Sequence, residues 1–95
     1  MAAPVGSCVT LTYDLVHNPD LPDPDDGDWL VSWSERTETW NTAYLILGAR
    51  QVRSEMHPRR FSLRCRKIGP VREAGIQEDD RVYPIIWYRR DRRRR

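Results

Sequence analysis

Apolar residues recur along this chain with a period of two, and no stretch sustains the 3.6-residue period of a helix. Successive side chains of a strand point to opposite faces, so that pattern confines the chain to β-sheet. Val9, Leu11, Tyr13 and Leu15 alternate with Cys8, Thr10, Thr12 and Asp14, a half-buried strand. Trp29, Val31 and Trp33 alternate with Leu30, Ser32 and Ser34 in a second. A third runs from Thr42 to Arg53, where the apolar phase changes after Gly48 and predicts a bulge or corner. The fourth places Phe61, Leu63 and Cys65 on one face and Ser62, Arg64 and Arg66 on the other. Gly69-Pro70 ends it. The fifth spans Val82 to Tyr88, with Pro84 demanding an edge or a bulge.

The connections carry their own chemistry. His17 to Asp28 contains three prolines and five aspartates, which excludes helix and ladder alike and predicts a long acidic surface loop. Glu35 to Asn41 reads as a hairpin connection, and Val71 to Gln77 as loop or a single helical turn. Five strands with turn signals between them predict an all-β fold, a single five-stranded barrel of SH3-like topology. Val9, Leu11, Tyr13, Val31, Leu45, Leu47, Phe61, Leu63, Val82 and Ile86 are its expected core, with Trp29 and Trp33 filling the interior.

Ninety-five residues, 39% of them hydrophobic, support one core and not two. The expected domain is residues 1–91, with Arg92 to Arg95 a disordered basic tail. No apolar run approaches the roughly 18 residues of a membrane span, and the first residues lack the basic-then-apolar pattern of a secretory signal. A soluble, cytoplasmic protein is expected. Cys8 and Cys65 fall on opposite strand faces and belong to no C-x-x-C pair, so they are expected as free thiols and not as zinc ligands.

Charge is divided between the halves. Residues 1–47 hold one base, Arg36, against eight acids, whereas residues 48–95 hold fifteen bases against six acids. Such a division points to an anionic partner for the basic half or to docking of the halves on each other. All but one of the sixteen bases are arginine, the side chain suited to bidentate capture of phosphate or carboxylate. A GC-rich genome would produce the same bias.

The segments Pro22 to Leu30, where Gly27-Asp28 opens a strand, and Tyr44 to Val52 resemble small RNA-associated barrels of the PUA and ASCH type. The resemblance covers under half the chain and implies a PUA-like barrel. The family's glycine-rich RNA-contacting loop has no counterpart here, so no functional residue is carried across.

Arg60, Ser62, Arg64 and Arg66 share one strand face, alternate residues rising about 6.6 Å, a spacing that an extended nucleic-acid backbone can follow. Arg50 and Arg53 of the preceding strand belong beside them, and Trp87 and Tyr88, next to Arg89 and Arg90, offer rings for base stacking. These residues, Ser62 apart, form the expected nucleic-acid-binding set of nine. Trp40, in a polar connection, is the expected exposed ring and partner contact. The acidic loop lacks the glycine and glutamate of a calcium loop, so no metal or other cofactor is expected, and no small-molecule substrate is evident. A flexible acidic arm lying on the basic face is a further expectation for it.

The leading expectation is a non-enzymatic β-barrel that binds RNA or DNA. The second is a phage or mobile-element accessory protein acting by protein contact, as an inhibitor, adaptor or self-assembling unit. The third is a small ribonuclease using His57, Arg59, Arg60 and Tyr88.

Overall fold

The computed structural model describes residues 4–34, 37–52 and 54–86, with the side chains of His17, Ser34 and Ile86 left aside. The strands are β1 (Cys8–Asp14), β2 (Trp29–Ser34), β3 (Thr39–Gln51), β4 (Arg60–Pro70) and β5 (Val82–Ile86). Two short 3-10 turns, Leu15–His17 and Val71–Glu73, follow β1 and β4, and no α-helix occurs among the described residues. None of their helices is long and apolar enough to cross a membrane.

The strands form one mixed sheet in the order β1-β4-β3-β2-β5. Three neighbouring pairs are antiparallel, whereas β2 and β5 run parallel because the chain crosses over from β4 to reach the far edge. The fold is all-β as expected, but among the described residues the sheet is not closed by hydrogen bonds: β1 and β5 are its edges. Its two edges meet instead through side chains. Tyr13 donates its hydroxyl to the Pro84 carbonyl at 2.8 Å, and its ring meets that of Tyr83 edge-on at 6.2 Å.

The core lies inside this curl and comprises Tyr13, Leu15, Leu30, Ile46, Phe61, Leu63, Cys65 and Tyr83. Val31 and Ala43 are buried on the outer face, where the Val71–Glu73 crossover packs against β3. Both faces of β2 are therefore covered, which corrects the expected phase. Leu30 is fully buried on the inner side, while Trp29 and Trp33 sit half-buried on the other. Trp29 Nε1–H donates to Asp80, and Trp33 packs edge-on against Trp40, so neither fills the interior. Tyr83, not Val82, carries the inward side of β5, and the Ile86 side chain lies outside the described residues.

The phase change expected after Gly48 in β3 falls instead just before it. Register with β4 shifts between Ile46 and Gly48, so Leu47 is the extra residue and Ile46 and Ala49 both reach the core side. Leu45 and Leu47 are consequently half-buried, not core. Leu15 is core but not strand: Asp14 ends β1 and caps the 3-10 turn by accepting the Val16 N–H.

The acidic loop is latched in place. Arg59 donates to the carbonyls of Pro19 and Leu21 and to the Asp23 carboxylate, and Tyr83 donates to the carbonyls of Pro22 and Asp23. Gly27, at φ 88, makes a turn that side-chain-bearing residues rarely adopt, and its N–H bonds to Ile46 of β3. It closes one end of the curled sheet and is not an arm over the basic face.

Candidate nucleic-acid interface

Pairing registers place the expected residues on one surface. Three rows cross β1, β4 and β3 on the face away from the core: Cys8, Arg66 and Leu45; Thr10, Arg64 and Gly48; Thr12, Ser62 and Arg50. Arg50, Arg64 and Arg66 are exposed, and among the described residues none has a carboxylate partner. Gly48 has no side chain and open space where a Cβ would project, so the middle row is notched. The resulting cleft, about 410 Å³, is lined by Thr10, Gly48, Ala49, Arg50, Ser62 and Arg64. Two guanidinium groups and two hydroxyls thus border one depression, a donor-rich lining suited to a phosphate and its sugar.

Arg60 departs from the expected ladder. Its Nη2 lies 3.5 Å from Asp14 Oδ2, the same oxygen that His57 Nδ1 approaches to 2.8 Å. Asp14 draws Arg60 into a structural cluster at the end of β1 and β4. Its Nε is buried without a hydrogen-bond partner. Burial pulls the Asp14 carboxyl upward, yet the Val16 N–H, His57 and Arg60 outweigh it and hold the group below the ordinary carboxylate range.

The ion pairs explain much of the charge division. Asp14 meets His57 and Arg60, Asp23 meets Arg59, and Asp28 meets Arg81 at 2.9 Å, each an acid of the first half against a base of the second. Asp28 is 8% exposed and is the one charged side chain buried among the described residues. Sequence reading noted Asp28 only as part of the Gly27-Asp28 pair that opens β2 and did not single out Arg81.

Arg53, Trp87, Tyr88, Arg89, Arg90 and the tail Arg92 to Arg95 lie outside the described residues. Of the ribonuclease set, Tyr88 does so too, while His57, Arg59 and Arg60 are each engaged by a carboxylate. No group of three or more His, Cys, Asp or Glu with metal-ligating geometry occurs among the described residues. Cys65 is buried and Cys8 exposed on the other side of the sheet, and burial pushes the Cys65 thiol up to about 11.

Trp40 is 43% exposed, as expected of a contact residue. It borders a groove of about 530 Å³ with Val31, Val71, Arg72, Ile76, Val82 and Pro84, formed where the β4–β5 crossover lies over the sheet. The groove is mainly apolar, a signal invisible in sequence because the crossover creates it. Comparison with known protein families, curated proteins and solved structures finds no match.

Proposed function

We propose that this chain is a non-enzymatic nucleic-acid-binding protein of the cytoplasm, and that the outer face of β4 with the adjoining part of β3 is its contact surface. The observation that carries this reading is the sorting of the arginines. Arg59, Arg60 and Arg81 are each bound to an aspartate, whereas Arg50, Arg64 and Arg66 share one exposed face, the first two at the Gly48 cleft, and meet no carboxylate among the described residues. Strand positions hold their Cα atoms fixed, so these side chains lose less freedom on meeting a phosphate than a tail would. Terminal arginines would add salt-sensitive affinity that is blind to sequence.

Fluorescence anisotropy with single-stranded RNA, single-stranded DNA and duplex probes at two salt concentrations tests the assignment. Arg64→Ala with Arg66→Ala should weaken binding and remove any preference between single- and double-stranded probes. Deleting residues 92–95 should weaken all probes alike and flatten the salt slope by roughly three to four phosphates' worth. Loss of probe preference on tail deletion alone would contradict the strand-face assignment.

The Trp40 groove favours a second reading, contact with a protein. Trp and Arg are the residue types that dominate interface energetics, and Trp40 and Arg72 border the same apolar groove. Under this reading Trp40→Ala abolishes partner binding while nucleic-acid affinity is unchanged.

A further inference from the structure

The two edges of the sheet are treated differently. Trp29 N–H bonds the Arg81 carbonyl, so the even residues of β5 direct their backbone groups to its outer edge. There Pro84 has no N–H to offer and its carbonyl is taken by the Tyr13 hydroxyl. That edge is blocked.

The β1 edge meets β5 through the Tyr13 side chain, but its own backbone carries no proline. Ser7 accepts the Lys67 N–H and the Leu15 N–H bonds the Arg59 carbonyl, which fixes the odd residues of β1 as those bonded to β4. Cys8, Thr10 and Thr12 therefore point their N–H and C=O groups away from β4, and among the described residues β1 has no other strand partner. Their side chains are neutral and exposed, the threonines are β-branched, and the strand holds neither proline nor lysine. Val9 and Leu11, on the core side of this edge, are only half-buried.

We propose that β1 pairs with β1 of a second copy, antiparallel about a two-fold axis, to make a continuous ten-stranded sheet. Self-pairing fits this edge for three reasons. An isologous contact consumes the unprotected edge of both copies and leaves only the proline-blocked edges outside. No like charges oppose each other, because the facing side chains are neutral and Asp14 is held by His57 and Arg60. Full overlap centres the axis on Leu11, which brings the two Leu11 side chains together and covers the half-buried aliphatic rim. In that register Thr10 of one copy stands opposite Thr12 of the other. The inference goes beyond nucleic-acid binding and does not depend on it. It would place two Arg64–Arg66 faces side by side on one sheet.

Sedimentation equilibrium of the full chain from micromolar to near-millimolar concentration tests the pairing. The unaltered protein should dimerise. Thr10→Lys together with Thr12→Lys sets like charges opposite each other and should weaken the dimer about tenfold or more, whereas Thr10→Lys with Thr12→Glu sets opposite charges across the axis and should restore it. Positions 10 and 12 are both exposed in the monomer, and circular dichroism should show each variant as folded as the parent. A protein that stays monomeric throughout would overturn the proposal. So would a dimer indifferent to the Lys-Lys pair, or one that the Lys-Glu pair fails to restore.

Discussion

Asp14 shows how much a single side chain holds here. Its carboxylate caps the 3-10 turn, receives His57 and draws Arg60 back to the sheet. Its native pKa lies below that of the unfolded chain, so its contribution to stability is complete above the ordinary carboxylate value of about 3.9. That contribution disappears as pH falls through the lowered native value. Urea titrations across this range should show stability falling on acidification, and Asp14→Asn should remove part of the fall. The thiols test burial in the same way. At neutral pH Cys8 should react quickly with an alkylating reagent while Cys65 reacts only on unfolding, since burial keeps it protonated and sheltered. Leu63 has no exposed surface, and Leu63→Ala should cost about 2–5 kcal/mol in chemical denaturation, as buried leucine deletions do.

Among the elements, β3 and β4 matter most because they bring the basic rows together. Alternation in the sequence sufficed to predict β4, whose odd residues are buried and even residues exposed or half-exposed from Arg60 to Arg66. It expected an irregularity in β3 but placed it after Gly48, one step beyond the extra residue Leu47. It misjudged β2, because alternation cannot tell which face is core when both are covered. Leu30 looked like the outward residue only while the β4–β5 crossover was unknown. Gly48 gives the element a direct test. A Cβ there would meet nothing within 4 Å, so Gly48→Glu should leave the fold intact while placing a carboxylate beside Arg50 and Arg64. Nucleic-acid affinity should fall at least as far as in the double arginine variant, with the melting temperature little changed. At the β2–β3 turn, Glu38 adopts φ 55, a conformation costly for a residue with a Cβ. Glu38→Gly should raise stability by up to about 1 kcal/mol in the same denaturation assay.

For the whole molecule, the charge division between halves is resolved in two ways. Part is internal: the acids Asp14, Asp23 and Asp28 fasten the loop and the end of β1 to bases of the second half. Of the other bases, Arg50, Arg64 and Arg66 share the outer face, meet no carboxylate among the described residues and define the candidate surface. Sequence could list the arginines but not divide them, since pairing to aspartates 36 to 53 residues away depends on the crossover and the latched loop. The Trp40 groove was hidden for the same reason, although the exposure of Trp40 itself was legible from its polar surroundings.

The location of the contact is most directly tested by titrating uniformly ¹⁵N-labelled protein with a short single-stranded oligonucleotide and following backbone amide shifts. The outer-face reading predicts saturable changes centred on Thr10, Gly48, Arg50, Ser62, Arg64 and Arg66, with the core amides of Leu30 and Tyr83 little affected. Changes centred on Trp40, Val71 and Ile76, with the β4 amides unmoved, would contradict it.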